Sequence, residues 1–194
     1  VHQDVRGRMG SEGEWYPLVH EREDGFDTFA WLREQEFQNG AWALFGMSYL
    51  AGAEWAVADA LPDEVKTMVS IVFGVDSYRV MYSSGLFRHD VFTAWAALMP
   101  DEGLALWNGA AYAEMLRHRP ARRADEAVLG KAVPWYRAWV DAGRPDDPLW
   151  TEPPFTHFLA TPENTRVPVL MIGGYYDPFF DAQWRDFRRL APRA

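Results

Sequence analysis

Apolar positions change period along the first part of the chain. Asp24 to Gln35 put Phe26, Phe29, Ala30 and Arg33 on one side of a helix, with Trp31 and Leu32 beside it, and Asn39-Gly40 ends that unit. Residues 41–46 form a short apolar strand, and Tyr49 to Ala60 read as a helix stopped by Leu61-Pro62-Asp63. Val65 to Val72 read as the next buried strand. Upstream, residues 1–5 read as the end of a strand, and Arg6 to Gly13, with Gly7, Gly10 and Gly13, as loop. Strand alternating with helix in this way predicts an α/β fold with a parallel sheet.

The pattern changes from about residue 76. Asp90 to Met99, Leu104 to Arg117 and Arg123 to Ala142 are helical in pattern, and strand signals vanish. Five of the ten Trp lie here: Trp95, Trp107, Trp135, Trp139 and Trp150. Pro134 starts or kinks a helix, and Pro145, Pro148, Pro153 and Pro154 mark an irregular return. Val167 to Gly174 is again a buried strand with Pro168 at its beginning, and residues 181–190 form an amphipathic helix. The domain reading is therefore residues 1–75 as the first part of a sheet core, with 76–160 as a Trp-rich helical insertion and 161–194 as the return to the core.

Composition narrows the function classes. At 194 residues, 48% hydrophobic and 15% aromatic, the chain has the means to bury a core. A net charge of −9 argues against nucleic acid, whose binding needs clustered Lys and Arg. With no Cys there is no disulfide, thiol nucleophile or Cys-ligated metal, which fits a reducing, cytoplasmic compartment. No apolar run approaches the ~18 residues of a membrane span. No His pair has zinc-ligand spacing, and the Gly-rich segment 7–13 does not lead straight into a helix as a phosphate loop would. Neither a metal nor a cofactor is expected.

Candidate chemistry begins at Ser48 in Phe45-Gly46-Met47-Ser48-Tyr49-Leu50. An apolar strand enters, Gly46 lies two residues before the serine, and a helix leaves. That is the layout of a nucleophile elbow spanning 46–51, although a serine in a strand-to-helix turn is equally a plain N-cap. A serine nucleophile needs a base, an orienting acid and oxyanion donors. Asp177, after the late strand in Gly173-Gly174-Tyr175-Tyr176-Asp177-Pro178, could hold an imidazole, or could simply bond its own backbone in an Asp-Pro turn. The backbone N–H of Tyr49 is the natural first oxyanion donor. All five histidines, His2, His20, His89, His118 and His157, precede Asp177, so none has the chain order of a Ser…Asp…His triad. In that order the base is expected beyond Ala194, and the second oxyanion donor before Val1.

Several motifs together resemble one family. Gln3-Asp4-Val5-Arg6-Gly7-Arg8, Gly10-Ser11-Glu12-Gly13, Glu23-Asp24-Gly25 with Asp27-Thr28 and Trp31-Leu32, Asn39-Gly40, and the elbow itself are similar to the cocaine esterase / Xaa-Pro dipeptidyl-peptidase group of α/β-hydrolases. Gly174-Tyr175-Tyr176-Asp177 resembles that group's Gly-Trp-Tyr-Asp acid motif. The resemblance implies a partial, mostly parallel α/β-hydrolase sheet interrupted by a helical cap. It also implies Ser48 as nucleophile, Asp177 as triad acid and the Tyr49 N–H as an oxyanion donor. The chain would then be a central fragment, without the upstream tyrosine, the triad histidine or the C-terminal jelly roll of the group. Two departures touch the elbow: Trp42-Ala43-Leu44 replaces the usual Val-Gly-Met approach, and Ala51 stands where Gly is usual.

The expected function is that of a serine acyl hydrolase acting on a small ester or amide, with Trp95, Phe92 and Trp135 lining an apolar pocket. The piece would be inactive alone, and the intact protein a homodimer with no nucleic-acid or membrane partner. One rival is a non-catalytic hydrolase-like scaffold. Another is a peptidase or acylase acting on Xaa-Pro peptides or β-lactam amides, for which Asp76 and Asp90 could recognise an amine.

Overall fold

The computed structural model of the protein describes residues 1–99 and 109–190. These form two units, Tyr16–Val80 with Glu152–Ala194 and Val1–Trp15 with Met81–Thr151. Residues 104–108 of a predicted helix, Trp107 among them, lie outside the described residues.

The first unit is built on a parallel three-stranded sheet. It runs α1 (Glu21–Arg33), β1 (Trp42–Met47), α2 (Tyr49–Val57), β2 (Val65–Ile71) and α3 (Ser77–Met81), then resumes with α9 (Phe155–Asn164), β5 (Val169–Ile172) and α10 (Phe180–Leu190). The strand order β1-β2-β5 puts β2 in the centre. Met47, Ile71 and Ile172 are aligned, so all three strands end at one edge. Thr67 Oγ1 donates to Pro168 O at 3.0 Å across 101 residues of sequence.

Side-chain alternation separates the two faces of this sheet. Met68 and Ser70 are buried on one face, where Trp55 Nε1 of α2 donates to Ser70 Oγ at 2.8 Å. On the other face Phe45, Met47, Leu170 and Ile172 are exposed. At the far end of β1, Phe29, Val57 and Val65 form a buried cluster joined by Trp42 and Leu44. Acidic Glu21, Glu23 and Asp24 occupy the first turn of α1, where the helix dipole favours them.

Sequence expectation and structure differ at several places in this unit. The segment after Pro153-Pro154 is not irregular but folds into α9, with Pro162 inside it. The Phe158 carbonyl, which Pro162 cannot reach, accepts the Thr161 hydroxyl at 2.8 Å. The predicted helix 49–60 stops at Val57, and the strand 167–174 contracts to Val169–Ile172.

The second unit holds β3 (Tyr82–Ser83), β4 (Leu86–Phe87), a π-helical turn (His89–Thr93), α4 (Ala94–Leu98), α5 (Gly109–Arg117), a 3₁₀ turn (Ala121–Arg123), α6 (Ala124–Leu129), α7 (Pro134–Asp141) and α8 (Pro148–Thr151). Strands do not vanish here, since β3 and β4 pair as a two-residue antiparallel ladder around Gly85 at φ +79°. That is too short for a periodicity to register. Residues 1–5 form no strand. No strand among the described residues pairs with them, and their carbonyls serve turns, Val5 O accepting Arg8 N–H at 3.0 Å. The predicted helix 123–142 is broken, because Gly130 at φ +71° ends α6 and Pro134 opens α7. Asp125, fully buried, spans the break. It accepts the Val133 N–H at 2.7 Å and the Arg137 Nε at 2.8 Å.

Candidate active site

Ser48 follows the last residue of β1 and precedes the first residue of α2. Its backbone has φ 55° and ψ −120°, a conformation costing about 1–3 kcal/mol for a residue with a Cβ. An N-cap residue sits in the extended region and bonds a first-turn N–H through its side chain; Ser48 does neither. Three contacts hold the turn. The Ser48 N–H donates to Ile71 O at 2.8 Å, carrying the β1–β2 ladder one residue beyond the strand. The Gly52 N–H donates to Ser48 O at 3.1 Å, the first bond of α2. Finally, a Cβ at Gly46 would lie 2.4 Å from Leu50 C and 2.5 Å from Ala51 N. The strand therefore runs against the backbone of the helix that follows it, and only glycine fits.

The departure at Ala51 is accommodated, its methyl being fully buried. Gly52 serves another purpose, since a Cβ there would meet Leu18 Cδ2 at 2.8 Å and Phe73 Cε2 at 2.9 Å. The Ser48 residue itself is exposed. Tyr49 is fixed by its hydroxyl, which donates to Glu21 Oε1 and accepts the Leu18 N–H at 3.3 Å. Burial pushes the Glu21 carboxyl above its ordinary range.

Asp177 follows β5 by five residues and is half-buried. Its Oδ1 accepts the Phe179 N–H at 2.8 Å, and its backbone N–H donates to Gly174 O at 2.9 Å. The turn that an Asp-Pro pair favours is thus present, and it fixes one carboxylate oxygen. Among the described residues Oδ2 makes no hydrogen bond. The turn bearing Ser48 and the loop bearing Asp177 both leave the C-terminal edge of the sheet, where open α/β sheets bind ligands.

The other candidates lie as follows. Phe92, Trp95 and Trp135 belong to an aromatic cluster of the helical unit, with Trp95–Trp135 centroids at 4.9 Å, Trp135–Trp139 at 4.8 Å and Phe92–Trp139 at 5.9 Å. His89 Nδ1 is 2.8 Å from Thr93 Oγ1, and burial lowers its pKa. His157 is exposed on α9. Asp76 pairs with Arg79 at 3.1 Å and Asp90 with Arg88 at 2.8 Å. Among the described residues no group of three or more His, Asp or Glu is placed to hold a metal, and no helix is long and apolar enough to cross a membrane.

Sequence reasoning passed over Val72, Gln183 and Asp186. Val72, just after β2, has φ +49°, an outlier for a β-branched residue. Gln183 and Asp186 are buried on α10, where the helical period was read but not which side faces inward. Trp184 and Phe187 of that helix are exposed along with Asp181, Arg185 and Arg188, while Ala182, Gln183 and Asp186 face inward.

Known proteins resemble this chain in sequence and in fold. The chain is 27% identical over 207 residues to the cocaine esterase of Rhodococcus sp. (strain MB1 Bresler), covering 96% of this chain and 35% of that protein. The crystal structure of an aminopeptidase from a marine sediment archaeon, Thaumarchaeota archaeon, superposes with a TM-score of 0.72 at 23% identity. It covers 97% of this chain and 34% of the aminopeptidase, a likeness of fold. The chain thus spans about a third of the length of these relatives. All of it, residues 1–194, matches one family, and the chain belongs to the X-Pro dipeptidyl-peptidase (S15) family of hydrolases.

Proposed function

We propose that this chain carries the nucleophile and the acid of a serine acyl hydrolase. What supports the reading above all is the Ser48 backbone: a strained, non-capping conformation that presents an exposed hydroxyl. In the full-length protein Ser48 Oγ attacks the carbonyl carbon of an ester or amide while a histidine later in the chain takes its proton. The Tyr49 N–H donates to the developing oxyanion. The tetrahedral intermediate collapses and expels an alcohol or amine, which the imidazolium protonates. Water, deprotonated by the same histidine, then attacks the acyl-enzyme, releasing the carboxylic acid and restoring Ser48. Asp177, with Oδ1 held by the Phe179 N–H, offers Oδ2 to the imidazole N–H and stabilises the imidazolium.

Trp95, Phe92 and Trp135 stay the candidate substrate-recognition residues of the helical insertion, which serves as the cap. Because Asp76 and Asp90 are already matched by Arg79 and Arg88, recognition of a substrate amine by them requires displacing an arginine. That favours an ester over a free-amine peptide as substrate. The test is fluorophosphonate labelling of the full-length protein, with hydrolysis of a matched ester and amide. Labelling is expected to vanish in Ser48→Ala and the ester to turn over faster, whereas residues 1–194 alone are expected to stay unlabelled. Undiminished labelling of Ser48→Ala would overturn the nucleophile, and labelling of residues 1–194 at Ser48 would overturn the inactivity of the piece.

A further inference from the structure

We propose that α10 is the positioning element of the catalytic edge, with Gln183 and Asp186 holding the acid loop and the loop after β2 in register with the Ser48 turn. This rests on the roles proposed for Ser48 and Asp177.

A line of hydrogen bonds crosses the edge. The Ser48 N–H donates to Ile71 O at 2.8 Å, and the next N–H along β2, that of Val72, donates to Ile172 O at 2.8 Å. The Ile71 carbonyl and the Val72 N–H are the two ends of one trans peptide and so point to opposite neighbours, and Val72 then leaves the strand with φ +49°. The Ile172 carbonyl accepts a second bond from Gln183 Nε2 at 3.1 Å. Three residues further along α10, Asp186 Oδ2 accepts the Val75 N–H at 2.8 Å, with Arg189 at 3.5 Å from its other oxygen.

Contact is close on both sides. A Cβ at Gly74 would lie 2.4 Å from the Ala182 methyl, and one at Gly173 would lie 2.2 Å from Gln183 Oε1. The helix is thus seated on one glycine of each loop.

The orientation of α10 is otherwise unexplained. Trp184 and Phe187 face outward while Gln183 and Asp186 are 5% and 2% exposed. A helix selected for packing alone would turn its aromatic side inward. Gln183 Oε1 is buried with no hydrogen-bond partner among the described residues, which a Leu or Met there would avoid. The inward polar side makes sense if its purpose is to grip backbone groups of the two loops. One of these loops carries Asp177, and the other joins directly to the strand end that holds the Ser48 N–H.

The experiment uses the full-length enzyme. Gln183→Met keeps the volume and removes the donor. It is expected to lower kcat roughly 10- to 100-fold, leave KM within about twofold, and slow fluorophosphonate labelling of Ser48 by the same factor. Asp186→Ala is expected to behave alike. Asp186→Asn, which keeps an oxygen for the Val75 N–H, is expected to recover most of the loss. Rates are expressed per labelled site, so that a smaller folded fraction does not count. A wild-type rate per site for Gln183→Met, a rise in KM at unchanged kcat, or no difference between the Asn and Ala variants at 186 overturns the proposal. Asp177→Asn is measured alongside. Wild-type kcat in that variant overturns the acid assignment and this inference together, whereas an inactive Asp177→Asn beside an unaffected Gln183→Met overturns this inference only. If Gln183→Met does not fold, the Asp186 pair decides.

Discussion

The turn after β1 and the turn after β5 leave the same edge of the same sheet, yet they are built by opposite means. At Ser48 the backbone does the work: φ is +55°, a glycine two residues back lies against the following helix, and the side chain caps no N–H of that helix. At Asp177 the turn is relaxed and the side chain takes part, bonding the Phe179 N–H. The role proposed for Ser48 needs its hydroxyl delivered to a point and exposed, which a backbone-held turn with local strain provides. A carboxylate that orients a neighbour can spend one oxygen on its own turn. The helices launched from the two turns differ in the same sense. Each buries an acid, but among the described residues neither oxygen of Glu54 of α2 has a hydrogen-bond partner, while Asp186 of α10 is held by Val75 and Arg189. Burial pushes Glu54 up to about 8 and Asp186 to about 7.

The largest expected effect tests the division of labour at Asp177. Asn in its place retains an oxygen for the Phe179 N–H but offers imidazole the wrong partner. Its kcat should fall roughly 10³- to 10⁴-fold while the urea midpoint of unfolding barely moves. A matching loss of stability would show that Asp177 is mainly structural.

Next is Glu54. Its folded value is raised, so the native state holds a proton that the unfolded chain has released, and stability falls as pH rises from about 4.5 through about 8. Glu54→Leu should flatten that slope and add about 3 kcal/mol near pH 8. An unchanged slope in pH-dependent denaturation would locate the titration elsewhere. Asp186→Leu, which discards the Val75 bond, should instead destabilise.

Gly46→Ala places a methyl against fixed backbone and should cost about 2 kcal/mol, with loss of Ser48 labelling. Full labelling at native stability would mean that the turn is not closed by that contact. The smallest effect is Ser48→Gly, which removes the left-handed penalty and should stabilise by about 1 kcal/mol. The same substitution at Asp177 should not stabilise.

Sequence pattern reaches only part of this contrast. Ser48 was legible because its constraint lies within four residues: an apolar strand, Gly46 and a helix start. Asp177 was legible as a loop acid, and its Asp-Pro turn reading is met by the Asx bond from the Phe179 N–H, while the triad role is the one proposed above. The parallel sheet could be read from strands separated by helices. The helix α9 was obscured by Pro153, Pro154 and Pro162, whose local preference is overridden when Thr161 satisfies the Phe158 carbonyl. Residues 1–5 carry strand-like residues without a strand among the described residues to pair with, and pairing is not written in five residues. Gln183 and Asp186 lie on a helix whose period was visible, but an inward polar side becomes visible only with the loops it grips.

The hydrogen bond from Thr67 to Pro168 spans 101 residues, and the helical unit is synthesised between them. At roughly 5–20 residues per second of translation, β2 leaves the ribosome about 5–20 seconds before β5 exists to flank it. For that interval the side of β2 that β5 will cover is an open edge, while the opposite side is paired with β1 along its length. The Ser48 turn is therefore assembled early, and the Asp177 loop closes onto a strand that has waited for it.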